Sequence, residues 1–241
     1  MGQYSGFAYL YDILMESTPY HRWAAYIDKM LKHHLQPENN IVLDLACGTG
    51  NITLALAQAG YDMIGVDISI DMLAQAQAKI TNEKILFLAQ DMRNLDLYGT
   101  IDAVISTCDG LNYILDEAEL ETIFKKVKMF MNPGGVFIFD MNTEHKYKNV
   151  LADKSFTAQK GDVSYDWDNH YNASTMINEY QVMFKPINDE PFMEVHYQRA
   201  YHVDAVCDML RNTGFKTVAV YDGYSDEVIK EDSVRAVYIA M

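Results

Sequence analysis

The sequence predicts an α/β fold in which a mostly parallel sheet has helices on both faces and carries a small antiparallel β insertion. Short apolar segments alternate with helical patterns over residues 41–140, an alternation typical of parallel sheets. Residues 141–200 are instead rich in Tyr, Phe, Val and Trp and show little helical periodicity. Helix and strand patterns return over residues 201–241. We therefore predict one α/β domain, formed by residues 1–140 and 201–241, with an inserted antiparallel lid at 141–200.

Start and stop signals divide the first part of the chain into elements. Residues from about 4 to 36 have helical periodicity in two segments that Pro19 separates. Ser69 is predicted to cap a later helix, and Asp116 with Glu119 resembles a capping box at the start of another. The run Asn132–Gly135 is a stop signal. Buried strands are predicted at Ile41–Leu45, Tyr61–Asp67, Ile85–Ala89, Ile101–Thr107 and Val136–Asp140.

The rest of the chain is predicted to begin with antiparallel strands. Turn signals at Asn169–Ser174 and Pro186–Pro191 separate three strand-like segments. Gly214 suits the position just past a helix end. The predicted strands of the insertion are Val163–Trp167, Met176–Phe184 and Phe192–Tyr201, followed by a helix at Val203–Thr213 and strands at Val218–Tyr221 and Val234–Ala240.

The turn after the first strand points to a nucleotide ligand. Strand, glycine turn and helix together form the local geometry of a nucleotide cradle, because glycines let the backbone approach a ligand closely. Gly48 and Gly50 fit a dinucleotide fingerprint, but Thr53 stands where its third glycine belongs, and no lysine completes a phosphate-binding loop. A nicotinamide-dependent oxidoreductase is therefore the lesser alternative, and Asp44 before the turn also argues against it.

The whole run VLDLACGTG, from Val42 to Gly50, resembles motif I of class I S-adenosylmethionine-dependent methyltransferases. Further segments extend this resemblance over essentially the entire chain: FAYLYDILM with TPYHRW, GVDIS, AQDMR, CDGLNYI, NPGGVFIFD and HYQRAY. They are similar to a small bacterial subgroup whose methyl acceptor is generally unassigned. The resemblance implies a Rossmann-like seven-strand sheet with a small antiparallel lid, and S-adenosylmethionine as the cofactor.

Two acids stand where the resemblance expects cofactor ligands. Asp67 lies 19 residues after Gly48, close to the spacing of about 20 between a glycine turn and a ribose-binding acid. Asp91 follows the third strand, where the family binds the adenine amino group. Ordinary strand-end capping is the alternative for each acid. The predicted cofactor-binding residues are Tyr20, Asp44, Ala46, Cys47, Gly48, Gly50, Asp67, Ile68, Met72, Asp91, Met92 and Cys108.

The loop after the fourth strand is the predicted catalytic region. In the family this loop faces the methyl group, and here it contains Asp109, Asn112 and Tyr113. Methyl transfer is an in-line displacement that depends mainly on positioning and exclusion of water. Turn formation and helix initiation are the alternative roles, and for Asn112 the two interpretations are balanced. No D/N-P-P-Y/F motif follows this strand, which argues against methylation of exocyclic amino groups in nucleic acids.

Other side chains are candidates for a cap or an acceptor pocket. Tyr11, Tyr20 and Trp23 could fold over the cofactor, with hydrophobic packing of an amphipathic helix as the alternative. Tyr11, His196 and Arg199 are predicted to line the acceptor pocket, although solvated or structural roles are common for lone histidines and arginines on strands.

Composition favours a cytoplasmic enzyme with a small-molecule acceptor. The formal charge is −15 and no basic cluster occurs, so a polyanion such as RNA would be repelled. No apolar run approaches a membrane span, no signal-peptide pattern begins the chain, and the histidines and three cysteines show no metal-ligand spacing. We therefore expect no membrane partner and no catalytic metal. The alternatives are an RNA- or ribosome-associated methyltransferase and a cofactor-binding regulatory protein; the oligomeric state is not predicted.

Overall fold

A computed structural model describes residues 5–187 and 190–241 of the chain. The strands, in chain order, are β1 (Ile41–Leu45), β2 (Asp62–Asp67), β3 (Ile85–Ala89), β4 (Ile101–Ser106), β5 (Met131–Asn142), β6 (Ser155–Lys160), β7 (Val163–Asn172), β8 (Ile177–Pro186), β9 (Phe192–Arg199), β10 (Val218–Asp222) and β11 (Arg235–Ala240). The α-helices are α1 (Ser5–Leu14), α2 (Tyr20–His34), α3 (Asn51–Gln58), α4 (Ile70–Ala78), α5 (Glu117–Phe130) and α6 (Val203–Asn212).

The main sheet has seven strands in the order β10-β11-β5-β4-β1-β2-β3. The pairs from β5 to β3 are parallel, whereas β11 runs antiparallel to both β5 and β10. This confirms the predicted mostly parallel sheet. The strand order reverses between β1 and β4, and in such sheets ligands bind at the carboxyl ends of the strands beside the reversal.

Apolar side chains pack on both faces of this sheet. One cluster joins Leu43, Val104 and Phe137 to the buried faces of α5 and α6. The other joins Val42, Ile105 and the buried side of α2 and α3. Burial on both faces explains why the sequences of β1 and β4 are mostly apolar.

The second sheet is antiparallel, in the order β6-β7-β8-β9, and we call it the lid sheet. Its β6 was not predicted, because this edge strand is mostly exposed and has no apolar face. The predicted turn at Asn169–Ser174 is also wrong in its first residues, since β7 continues to Asn172. Asn169 is 1% exposed there and bonds the Lys154 carbonyl, so hydrogen bonding replaces apolar burial.

Two further differences lie beside β5. The predicted stop Asn132–Gly135 falls inside β5, which pairs with β4 through a register shift near Ile101. At Gly135 a Cβ would lie 2.6 Å from the carbonyl oxygen of Asp102, so glycine permits the close approach. A π-helical turn, Lys146–Leu151, follows β5 in a segment predicted to have little helical content.

The helix boundaries follow their sequence signals. Ser69 accepts a hydrogen bond from the Met72 amide, and Asp116 accepts bonds from the amides of Ala118 and Glu119. Gly214 follows α6 with φ of 102°. The predicted caps at α4 and α5 are confirmed.

Helix α1 packs between the two sheets. Ala8 and Leu10 on this helix join Met72 of α4 and Val182 and Phe184 of the lid sheet in one apolar cluster. This packing holds the lid sheet over the carboxyl ends of β1–β4. Within the described ranges no helix is both long and apolar enough to cross a membrane.

Gly65 provides a test of the packing beneath the glycine turn. A Cβ at this position would lie 2.6 Å from the Phe87 ring on β3 and 3.0 Å from the Cys47 sulfur. We expect Gly65→Ala to lower the free energy of unfolding by about 1–3 kcal/mol, as overpacking usually does. Gly99→Ala is the control, because a Cβ there has open space. Urea denaturation measures both, and equal stability of the two variants would contradict this account of the packing.

Candidate active site

A cavity of about 870 Å³ lies at the carboxyl ends of the main strands, beneath α1, α2 and the lid sheet. Small-molecule sites usually have volumes of about 300–1,000 Å³. Most of the residues predicted to bind a cofactor line this cavity: Tyr20, Ala46, Cys47, Gly48, Asp67, Ile68, Met72, Asp91, Met92 and Cys108. Of the predicted catalytic and acceptor residues, Tyr11, Asp109, Tyr113 and His196 also line it.

The glycine turn presents its backbone to the cavity. Gly48 has φ of 54°, and a Cβ built on it would meet nothing within 4 Å. Its N–H donates to Asp67 Oδ2 at 2.8 Å, while the Ser69 N–H donates to Asp67 Oδ1 at 2.8 Å. Burial raises the pKa of Asp67, although these N–H donors oppose the shift. Asp67 therefore shapes the turn and also places a carboxylate on the cavity wall.

Asp44 and Gly50 were predicted to bind the cofactor but lie behind the turn rather than on the cavity wall. Asp44 is 1% exposed and accepts a 2.5 Å hydrogen bond from Thr53 Oγ1. Burial raises the pKa of Asp44 to about 7. Thr53, at the third position of the dinucleotide fingerprint, thus anchors α3 to β1. At Gly50, a Cβ would lie 3.0 Å from the Ala76 Cβ, so glycine lets α4 approach.

Helix α1 is attached to the glycine turn through Asp12, a residue that the sequence analysis did not select. Asp12 Oδ1 accepts hydrogen bonds from Thr49 Oγ1 at 2.7 Å and from Asn51 Nδ2 at 2.9 Å. The Lys79 ammonium lies 2.5 Å from the other oxygen. Residues on three separate elements therefore converge on one carboxylate, which fixes α1 as a cover over the turn.

The loop after β4 adopts a strained conformation. Cys108 and Asp109 are consecutive non-glycine residues with φ of 58° and 55°, each costing on the order of 1–3 kcal/mol. The Asp140 carboxylate accepts both of their N–H groups, at 2.9 and 2.8 Å. Arg235 and Tyr224 donate to the same carboxylate. Asp140 thus holds the loop that the sequence predicts to face the reacting group.

Asp109 is also paired on both carboxylate oxygens. Arg235 donates to Oδ1 at 2.9 Å, and Gln198 of the lid sheet donates to Oδ2 at 2.7 Å. Burial alone would raise the pKa of Asp109, but the charges of Arg235 and Lys146 lower it overall. Asp109 is therefore an ionised group on the cavity wall and a poor proton acceptor near neutral pH.

An aromatic cluster connects the loop to the lid sheet. The hydroxyls of Tyr113 and Tyr180 share a short hydrogen bond, and the Tyr113 hydroxyl lies 3.4 Å from His196 Nδ1. His196 stacks on Tyr180 with ring centroids 4.8 Å apart. Burial lowers the pKa of His196 to about 4, so its imidazole is neutral at pH 7.

Asn112 and Arg199 do not line the cavity. The Asn112 amide bonds the backbone N–H of Asn142 and the carbonyls of Asn142 and Arg199. The Arg199 guanidinium bonds the Leu115 carbonyl and pairs with Glu117 at 2.6 Å. Through these bonds both residues connect the lid sheet to the main domain. This is a structural role, the alternative to catalysis for Asn112 and to acceptor binding for Arg199.

Two cavity residues carry contacts that the sequence did not predict. Asp91 is held by Arg93, which donates to both carboxylate oxygens at 2.6–3.0 Å and thereby lowers its pKa. Trp23 stacks on Tyr224 at 4.7 Å, and Arg235 lies 5.0 Å from its ring centroid. Trp23 therefore packs against the Asp140 cluster and also forms part of the cavity wall. In the described ranges, no three His, Cys, Asp or Glu residues are placed to hold a metal ion.

Comparison with known proteins identifies the family. Residues 42–135 match a family described as a methyltransferase domain. YqeM of Bacillus subtilis (strain 168), named as a methyltransferase with no acceptor given, is 36% identical over 98% of this chain and 96% of its own. This chain belongs to the S-adenosylmethionine-dependent methyltransferases.

A crystal structure of an S-adenosylmethionine-dependent methyltransferase from Clostridium acetobutylicum has the same fold. Its TM-score is 0.88, with 30% identity and coverage of 98% of both chains. A shorter match is to the dTDP-3-amino-3,6-dideoxy-α-D-glucopyranose N,N-dimethyltransferase of Streptomyces fradiae, 31% identical over 57% of this chain and 54% of the relative.

Arg235 provides a test of the strained loop. Replacing it with methionine leaves the buried carboxylate of Asp140 and the partly buried carboxylate of Asp109 without their shared cation. Removing one partner of a buried ion pair costs about 3–5 kcal/mol, so we expect Arg235→Met to lower the free energy of unfolding by that amount. Arg211→Met is the control, because that pair with Asp208 is exposed. A loss in urea denaturation no larger than that of the control would contradict the role given to Arg235.

Proposed function

We propose that this protein transfers the methyl group of S-adenosylmethionine to a small-molecule acceptor inside the cavity. The observation that carries the proposal is the aromatic face of the lid sheet, which closes the cavity opposite the glycine turn. Tyr165, Trp167, Tyr180 and His196 share one face of this sheet and line the cavity. The proposal treats residues 141–200 as the acceptor lid and the remainder as the cofactor-binding domain.

The residues at the ends of β1–β3 suit the cofactor. Open space at Gly48 lets backbone amides approach a ligand, and the Asp67 carboxylate is placed to accept hydrogen bonds from ribose hydroxyls. We assign the adenine side to Asp91 and Met92, with Ile68 and Met72 as apolar walls. Tyr20, Ala46, Cys47 and Cys108 complete the cofactor-binding residues in this proposal.

The cofactor supplies an already activated methyl group, so the protein has mainly to position and enclose the reactants. Helix α1 and the lid sheet exclude water from the cavity. The carboxylates of Asp109 and Asp140 beside the β4 loop are balanced by the cations of Arg235 and Lys146. Tyr113 and the neutral His196 orient the acceptor through hydrogen bonds and ring contacts.

Charge and composition favour a small acceptor over RNA. The chain carries a formal charge of −15, and long nucleic acids normally need many lysines and arginines to neutralise their phosphates. The Streptomyces fradiae relative is named for an amino-sugar substrate, which agrees with a compact polar acceptor. We also propose a bacterial, cytoplasmic setting, in keeping with the bacterial origin of the relatives.

Asp67 tests the cofactor assignment. We expect Asp67→Ala to weaken binding of S-adenosylhomocysteine by about 1–3 kcal/mol, because charge-assisted hydrogen bonds are lost. Asp62→Ala is the matched control, since Asp62 begins the same strand but is exposed. Isothermal titration calorimetry measures both variants. Unchanged affinity in Asp67→Ala would show that this carboxylate does not hold the cofactor.

The acceptor class is tested with labelled S-adenosylmethionine. We expect the protein to label a compound in a filtered bacterial metabolite extract and to leave total RNA and ribosomes unlabelled. Heat-inactivated protein serves as the control. Robust labelling of RNA without any small-molecule product would favour the RNA- or ribosome-associated alternative and overturn the proposal.

A further inference from the structure

Lys146 is a cation on the cavity wall that the cofactor assignment does not use. In the described part of the chain, three cationic side chains line the cavity: Arg93, Lys146 and Arg235. Arg93 is paired with Asp91, and Arg235 is paired with Asp109 and Asp140. By contrast, no carboxylate oxygen of a described residue lies within 4.0 Å of the Lys146 ammonium.

The Lys146 ammonium has unused hydrogen-bonding capacity. Among the described residues only Asn142 accepts from it, through Oδ1 at 2.8 Å, whereas an ammonium has three N–H donors. Asp109, Asp140 and Arg235 together carry one net negative charge. The positive charge of Lys146 balances it at longer range. An anionic group entering beside Lys146 would therefore meet a neutral cluster with free donors.

A second unpaired donor belongs to a residue of the cavity wall but is itself enclosed. The indole N–H of Trp167 on the lid sheet is buried and has no acceptor among the described residues. Buried polar groups are costly without a partner. Because that N–H has no exposed surface, the donor that a ligand in the cavity can reach is the Lys146 ammonium.

The strand order separates Lys146 from the proposed cofactor acids. Asp67 and Asp91 follow β2 and β3, on one side of β4. Lys146 follows β5, which is on the other side of β4. The strained β4 loop therefore lies between the two groups, and the helical turn that begins at Lys146 contacts β7 of the lid sheet.

We propose that Lys146 binds an anionic oxygen group, a carboxylate or a phosphate, on the methyl acceptor. This inference rests on the proposed function and narrows it to small molecules that carry such a group. Burial lowers the pKa of Lys146 despite the opposing charges of Asp109 and Asp140, and an anion in contact would offset that cost of burial.

The first experiment identifies the charge of the product. Wild-type protein, Lys146→Met and Lys148→Met are incubated with labelled S-adenosylmethionine and a metabolite extract. Lys148 is exposed on the same helical turn and serves as the matched control. Labelled compounds are separated by anion exchange in alkaline eluent, where carboxylates and phosphates keep their charge and amines lose theirs.

We expect the wild-type product to be retained on the column. Lys146→Met should reduce labelling of this product about tenfold or more at low acceptor concentration, because a charge-assisted hydrogen bond is lost. Lys148→Met should leave the labelling unchanged. A product without an anionic group, or undiminished labelling by Lys146→Met, overturns the inference and leaves the proposed function intact. No labelled small molecule with the wild type overturns both.

The second experiment distinguishes the acceptor from the cofactor, whose methionine part also carries a carboxylate. Calorimetry compares S-adenosylhomocysteine with 5′-methylthioadenosine, which lacks that carboxylate. We expect both ligands to bind Lys146→Met with wild-type affinity. If Lys146→Met weakens only S-adenosylhomocysteine, the anion belongs to the cofactor and the inference is wrong.

Discussion

The carboxylate of Asp140 is the contact on which the centre of the site depends. It accepts the N–H groups of two consecutive residues in left-handed conformation, Cys108 and Asp109. A side chain without charge would accept these bonds more weakly, because bonds to ionised groups are stronger. Arg235 and Tyr224 satisfy the rest of the carboxylate. The strain of the loop is thus maintained by residues on β5, which neighbours β4, and on β11, which neighbours β5.

The same contacts join the lid sheet to the main domain. Gln198 bonds Asp109 and accepts a hydrogen bond from the Tyr147 hydroxyl, which in turn lies 3.3 Å from Asn142 Nδ2. Most of these polar atoms are buried, and a buried network rigidifies its surroundings only when its members have partners. At the other end, the lid sheet rests on α1 through an apolar cluster, and Lys160 of β6 pairs with Glu16 just after that helix. The lid sheet therefore has a polar attachment near the β4 loop and a mainly apolar one near the glycine turn.

Local sequence signals predicted the parallel sheet and the glycine turn, and most of the site residues that they selected line the cavity. Those signals act over a few residues: apolar periodicity for β1–β4, glycine for positive φ, and Ser69 for a helix cap. The prediction missed Arg235, which meets Asp109 across 126 residues of sequence, because a single sequence does not reveal which distant charges pair. It also missed β6, whose side chains alternate without a buried face, and it placed Arg199 in the cavity although Glu117 holds it outside.

The family match covers residues 42–135, yet Asp12, Lys146, Gln198 and Arg235 all lie beyond that stretch. The residues proposed for the cofactor and those proposed for the acceptor therefore lie largely in different parts of the chain. Most of the residues proposed to bind the cofactor lie in the central stretch, whereas Lys146 and His196, proposed to meet the acceptor, lie outside it. An inserted stretch exchanged between relatives would have to bring groups that bond Asp109 and Asn112 as Gln198 and the backbone of Asn142 and Arg199 do here.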